Sequence, residues 1–445
     1  MKNTVRIATL SALLAAAPAF AATKPAKAPA KPAVPPSALM QAFNALSTDL
    51  KAAMGGGSDM IVRLDKLNDA SLSAATKSQL KAILGEAMPS GIERQPAIGG
   101  GTDYSFTLKP GSYTAPEGGG LRWSELTVKE SMDKDLSHAS GTLRWNQLDI
   151  SGKTMQVTVN DMRMDGKQER AVPGSELWIG SGTGGAASVV AQDSSMPGFV
   201  MNFDNISYNA SSSMRGKLID LVYQSTVKRI ALMGGQVDDL HFNFRMMGLD
   251  MATLAKLNAS KKHPFVKPDQ ALEDLLPTLR TLAQSARAND TAFEIDDFSM
   301  GYQGNRLGLT GRISFAPGSD ADFATLAALG KKIDAKLTVT VPTALILDVA
   351  KLFARKQMSA NPQAVVNDAA VNQMGESMRD MAIGKIMGSG FGKLENDVLI
   401  IPIEVHEGVI TLNGKTVELP KQPAPAQAPA AAPAPAAKAK GKTKK

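Results

Sequence analysis

The stretch GTLRWNQLDISGKTMQVTVNDMRMDG, Gly141 to Gly166, constrains the fold more than any other. Apolar and polar residues alternate along it, and the run breaks once, at Ser151-Gly152. Successive side chains on a strand point to opposite faces, so this is the pattern of strands with one face turned from water and a local turn between them. The signature recurs at Asp103–Leu108, Leu121–Lys129 and Phe199–Tyr208, and at Val237–Asp250, where Leu240, Phe242 and Phe244 share a face. Phe293–Phe315 reads as a strand pair turning near Gly304-Asn305, and Lys336–Val341 as a further strand. Val398–Val405 and Gly408–Leu419 close the series, and Asn413-Gly414 suits the two φ > 0 positions of a type I′ turn. Strands joined by such short turns pair antiparallel.

Helical spacing interrupts the strands. It runs over Ala38–Met54, where Leu39, Phe43, Leu46 and Leu50 recur at the right interval, and over Ser73–Met88. Arg215–Met233 reads as an amphipathic helix, with Leu218, Leu221, Val222, Ile230 and Leu232 set among Lys217, Lys228 and Arg229. Further helices are expected over Met251–Lys262, Pro268–Ala288 with a kink or break at Pro277, Asp322–Lys332, Thr343–Met358 and Pro362–Met387. The fold class that follows is α+β: a long, mostly antiparallel, curved sheet of hairpins with packed amphipathic helices. Met374, Met378 and Met381 fall on one helical face, which reads as core.

The ends of the chain differ from its middle. Lys2 and Arg6, the apolar run Ile7–Ala17 and Ala19-Phe20-Ala21 form a secretory signal, so residues 1–21 are expected to be cleaved after Ala21 and the protein exported to the periplasm. An apolar run of 11 residues falls short of the roughly 20 that a spanning helix needs. Residues 22–36 form a Pro/Ala/Lys linker, and 420–445 form a basic Ala/Pro/Lys tail expected to be disordered. Residues 1–36 hold five Lys and Arg and 420–445 hold six Lys, neither with an acid, so of the net +7 the stretch 37–419 keeps −4. A nucleic-acid-binding surface would place its positive charge on the folded part, so that class is disfavoured. No interior linker divides residues 37–419, which allows one elongated domain or two halves, about 37–210 and 211–419.

Motifs that carry chemistry are scarce. There is no cysteine, which excludes thiolate catalysis, zinc–cysteine sites and a lipidated N-terminus. Gly180-Ser-Gly-Thr-Gly-Gly185 matches GxGxxG but lacks the strand–helix unit of a dinucleotide site, and reads as a loop between hairpins. No P-loop, GxSxG or HExxH occurs. The histidines, His138, His241, His263 and His406, have no metal-ligand spacing. Asp238-Asp239 and Asp296-Asp297 read as turn or strand-start residues, and Asp320 and Asp322 as the cap and first turn of a helix. No catalytic, cofactor-binding or metal-ligating residue is therefore nominated.

The block VDDLHFNFRMMGLDMATLAKLN (Val237–Asn258), the helix LEDLLPTLRTL and the pair FSMGYQGNRLGLTGRISF together resemble the YdgA family of bacterial envelope proteins, whose function is unknown. The closing hairpin resembles that family's C-terminal signature through Gly408, Thr411, Asn413, Gly414 and Lys415, with Ile410 in place of a Leu. The hairpin pattern is also similar, at fold level, to AsmA-type envelope proteins, whose long sheets handle lipids on an apolar interior. These resemblances imply an exported, non-enzymatic envelope protein that binds or shields lipid or other apolar components. The alternative is an envelope scaffold tethered by its basic tail to the cell wall or membrane surface; a hydrolase ranks third. The expected partners are lipid or an anionic envelope surface, or other envelope proteins, with no nucleic acid and no cofactor.

Overall fold

The computed structural model describes residues 38–53, 72–89, 91–116, 118–173, 177–196, 198–232, 235–259, 276–302, 304–316, 322, 325–359 and 367–417. The signal, linker and tail segments, His263 and Asp320 lie outside them.

Eighteen strands form one antiparallel sheet. Its entry edge is β1 (Glu93–Pro96) beside β2 (Thr102–Leu108). The chain then makes a small hairpin, β3 (Gly111–Thr114) and β4 (Gly120–Trp123), and returns as β5 (Leu126–Met132) to pair with β2. From there it runs as a meander: β6 (His138–Ser151), β7 (Met155–Arg170), β8 (Trp178–Asp193), β9 (Phe199–Arg215), β10 (Leu218–Leu232) and β11 (Gly235–Asp250). It continues through β12 (Ala292–Tyr302), β13 (Asn305–Phe315) and β14 (Ile333–Pro342). β16 (Val398–His406) pairs with β14, and β15 (Lys393–Glu395), β17 (Val409–Leu412) and β18 (Lys415–Thr416) complete that edge. The two edges do not pair among the described residues, so the sheet is open and uncurled, without the expected curvature. Residue 210 lies within β9, and pairing continues from β9 into β10 from Met201↔Leu232 to Arg215↔Leu218.

Seven helices accompany the sheet among the described residues: α1 (Ala38–Ala53), α2 (Ala74–Leu84), α3 (Met251–Ala259), α4 (Leu276–Asn289), α5 (Leu326–Lys331), α6 (Thr343–Ser359) and α7 (Asp368–Ser389). They touch the sheet in separate patches. Leu84 and Ala87, at and just past the end of α2, join the largest buried cluster, formed by Trp123, Leu126, Leu143, Trp145 and Leu148. Met251 and Leu254 of α3 pack on Ala171, Leu177, Ile179 and Ile219. Ala283 of α4 meets Leu329 and Phe315.

The clearest departure from the sequence reading is the expected helix Arg215–Met233: Arg215 ends β9, and Leu218–Leu232 are strand β10 and not a helix. One irregularity on this strand explains the misreading. Pairing skips Lys228, whereas the register slip beside Ile219 and Leu221 puts its extra residue on β11. At the skip the apolar residues pass from Val227 to Ile230, a three-residue interval that imitates helical spacing.

The same slip crosses the neighbouring strands at one level. Asp161 in β7, Asn205 in β9 and Asp239 in β11 have φ of 49°, 50° and 46°, while the register on either side of Asp161 and Asn205 is unchanged. The apolar sequence shifts phase at the same points: Trp145 to Leu148, Val159 to Met162, Ala186 to Val189, Ile206 to Phe203 and Val227 to Ile230. A left-handed residue thus lets an out-of-phase alternation stay on one face. Asp and Asn are the non-glycine residues that accept that conformation most readily. Asn205→Val is expected to cost about 1–2 kcal/mol in urea unfolding and Asn205→Gly close to nothing, since only the former adds a β-branched clash at φ > 0.

Other differences have local causes. Leu121–Lys129 is two strands, because Ser124 turns to donate its amide to the Gln147 carbonyl at 3.0 Å and separates β4 from β5. Trp178–Asp193, glycine-rich and without clear alternation, is the full-length strand β8, so the GxGxxG segment is strand interior and not a loop. Phe199–Tyr208 extends to Arg215. Pro277 is the second residue of α4, where a missing amide hydrogen costs nothing; residues 268–275 of the expected helix lie outside the described residues. α5 begins after Thr325, whose hydroxyl accepts from the Ala328 amide at 3.1 Å; Asp322 instead lies 3.9 Å from Lys332. α7 begins at Asp368 behind the Asn367 cap. The Asn413-Gly414 turn has φ of 48° and 77° and joins Leu412 to Lys415, as a type I′ turn requires.

Candidate functional site: a half-covered apolar face

Residues directly opposite one another in an antiparallel sheet put their side chains on the same face. One path of such pairs crosses twelve strands. It runs Phe106, Val128, Leu143, Met164, Gly184, Tyr208, Ser225, Phe242, Phe298, Leu309, Val339, Ile401. A second path, beyond the phase slip, runs Trp123, Leu148, Val159, Val189, Phe203, Ile230, Val237. Leu143 and Met164 pack in one cluster with Trp123, Leu148 and Val159, so both paths lie on the same side of the sheet.

This apolar face is not closed. Of the first twelve residues only Leu143 is buried; Phe242 and Phe298 are 39% and 43% exposed. Five aromatic rings gather there. Phe242 lies edge-on to Phe298 at 5.7 Å and to Tyr223 at 6.2 Å, Tyr223 stacks on Phe244 at 5.1 Å, and Phe244 tilts against Phe293 at 5.2 Å. Such offset and edge contacts suit the ring quadrupole and hold the patch in shape. On β8 the place of a large residue is taken by Gly184, where an added Cβ would lie 2.7 Å from the Tyr208 ring. The ring therefore lies flat over the strand. Its hydroxyl is buried without a hydrogen-bond partner, and burial, then Tyr223, pushes its pKa up to about 12. The phenol is a neutral group set in an apolar floor.

The opposite face carries charge. Arg245, Glu294, Arg312, Lys336 and Glu404 are successive cross-strand partners. Asp296 and Asp297 stand inside β12 at a bulge, not at a strand start. Asp296 takes a two-pronged bond from Arg245, at 2.8 and 2.7 Å, while Asp297 pairs with Arg306 at 2.8 Å and His241 at 3.4 Å. These carboxylates neutralise arginines and form no catalytic dyad. Pairs this exposed are worth about 0–1 kcal/mol each.

One cluster that the sequence did not single out brings Ser, His and Asp together. Ser137 Oγ lies 2.8 Å and Asp133 Oδ2 2.7 Å from His138 Nδ1. Both contacts converge on the same ring nitrogen, whereas a nucleophilic relay uses the two nitrogens for different partners. The group is a turn between β5 and β6. The Asp133 bond, against desolvation and with help from the Asp133 and Glu169 charges, raises the His138 pKa. Desolvation opposes, but amide and side-chain bonds from His138 and Ser137 together hold the Asp133 carboxyl far below the usual carboxylate range. The signs are opposite. The His138 contribution to stability is complete below its ordinary value of 6.5 and is lost as pH rises through the raised midpoint. The Asp133 contribution is complete above 3.8 and is lost as pH falls through the depressed midpoint. In a proton NMR titration the His138 midpoint should lie above 6.5, and Asp133→Asn should bring it down.

Elsewhere, His406 lies 3.8 Å from Asp334, and no three His, Asp or Glu are grouped to hold a metal among the described residues. A concavity of about 790 Å³ beside β3, β4 and β6 is lined by polar groups including Arg122, Asp149 and Thr158. No helix among the described residues is long and apolar enough to cross a membrane.

A predominantly antiparallel meander with one apolar and one charged face, and no assembled catalytic group among the described residues, defines the class: an open-sheet α+β protein. The chain belongs to the bacterial protein family of unknown function DUF945, which it matches over residues 69–420. No curated protein and no solved structure matches it.

Proposed function

We propose that this protein is an exported, non-enzymatic component of the bacterial envelope that holds or shields acyl chains or similar apolar material on the open face of its sheet. The observation that carries the reading is the twelve-strand apolar path, of which only Leu143 is buried. A part-exposed apolar surface this continuous is rare on a protein with no partner for it. The aromatic patch around Phe242 and Phe298 offers edges and faces that pack well against methylene chains. The likeness to the YdgA family and, at fold level, to AsmA-type proteins supports an envelope setting, and the signal-like residues 1–21 support export.

Native mass spectrometry with organic extraction, on protein purified without detergent, tests the reading. A stoichiometric lipid mass is expected. Protein that emerges bare, and stays bare after incubation with phospholipid vesicles, would count against it.

A further inference from the structure

The helical pair α6–α7 is built inside out for a water-soluble hairpin. Its buried residues are small: Ala350 and Ala354 on α6, Val371 and Gly375 on α7. The helices meet almost backbone to backbone, since a Cβ on Gly375 would lie 3.2 Å from Lys351 Cα. Several large apolar residues point outward, while others such as Met374, Met378 and Ile383 are half-buried. Leu352 is 70% exposed, Phe353 60%, Val349 43% and Met381 72%. The methionine stripe that reads as core in the sequence is therefore open at Met381. Small residues between helices and large ones outside is the arrangement helices adopt in an apolar medium.

The charges in line with these apolar residues are basic; the acids of α7, Asp368, Glu376 and Asp380, fall off that line, and Asp368 and Asp380 pair with Arg355 and Arg379 at 2.7 Å. Val349, Leu352, Phe353 and Lys356 recur at intervals of three and four residues, so Lys356 extends the apolar side of α6 by one turn. Lys385 follows Met381 at the same interval on α7. The one acid of α6, Asp348, is turned to the sheet, where the Tyr302 hydroxyl donates to it at 2.8 Å. Asn413 donates to the Gly390 carbonyl at 3.0 Å, which fixes the last hairpin to the foot of α7. The six-lysine sequence 420–445 follows that hairpin within a few residues. Neither helix can cross a bilayer. Both can lie in its surface, with long cationic side chains reaching the phosphates.

We propose that the α6–α7 hairpin docks on an anionic lipid bilayer, with Leu352 and Phe353 inserted at the acyl boundary and Lys356 and Lys385 at the headgroups. This surface is separate from the sheet face, and the proposal stands whether or not that face carries lipid.

The test is flotation of the full chain with vesicles of phosphatidylcholine containing phosphatidylglycerol, against phosphatidylcholine alone. The protein should float with the anionic vesicles, less so as salt rises. Leu352→Gln with Phe353→Gln should cut the floated fraction by about tenfold or more, and being exposed these changes leave the fold intact. The chain has no cysteine, so a dye on Phe353→Cys reports insertion directly. Its emission should shift to the blue with anionic vesicles, while a dye on Thr226→Cys on the charged face should not respond. The proposal is overturned if the wild type stays unfloated or the double variant floats equally. It is also overturned if ultracentrifugation shows a dimer that only the double variant loses, which would make a second copy the occupant.

Discussion

Trp123→Ala is expected to lower stability by about 3–5 kcal/mol, the usual cost of emptying a buried tryptophan site. Trp123 is 4% exposed and sits where α2 covers the sheet, in the largest buried cluster of the described chain. Its indole donates to the Lys109 carbonyl at 2.8 Å and lies against Gly111, where an added Cβ would come within 2.6 Å of the ring. Truncation would leave a cavity, an unpaired carbonyl and a loosened β3–β4 hairpin together. Chemical denaturation followed by circular dichroism should show a lower midpoint with an unchanged slope. A loss below about 1 kcal/mol would mean that stability resides elsewhere in the sheet.

Phe242→Thr combined with Phe298→Thr is expected to weaken binding in a protein that still folds. Both rings are part-exposed, at 39% and 43%, so the folded state loses less than at a core site such as Trp123. Threonine keeps the β-branched preference of the strands. An acyl chain laid over the patch would lose the contact of two rings, about 2 kcal/mol in all, or about thirtyfold in Kd. Fluorescent fatty-acid titration of both proteins reads this ratio. Equal affinities would remove the aromatic patch from the binding surface.

How much of this was legible in the sequence varies by element. The hairpins at β6–β7, β12–β13 and β16–β17 follow from local alternation and turn residues, and the Asn413-Gly414 turn from the φ preferences of two residues. β10 was not legible as a strand, because the skip at Lys228 takes its apolar residues from Val227 to Ile230, a helical interval. β8 was hidden because glycine and alanine replace the large residues that reveal a strand, and Gly184 shows why: Tyr208 from the next strand occupies that space. The apolar face could be read only strand by strand, as at Leu240, Phe242 and Phe244, and not as a continuous surface. It exists only once twelve strands are in register, and Phe106 and Ile401 come onto one path through eleven pairings that no local pattern encodes. One usable signal was present: an Asp or Asn at the point where alternation resumes out of phase, as at Asp161 and Asn205.

The central claim is that lipid lies on the apolar face and not on the charged one. Neighbouring residues on β11 separate the two. Phe242 is on the apolar path, and His241 pairs across the sheet with Thr226 and Ser299 on the other side. A photo-crosslinking benzophenone residue placed at each position in turn, irradiated in the bacterial cell and analysed by mass spectrometry, distinguishes the two faces. The account predicts lipid adducts at 242 and none at 241. Adducts at both positions alike, or a protein partner captured at 242 with no lipid, would contradict it.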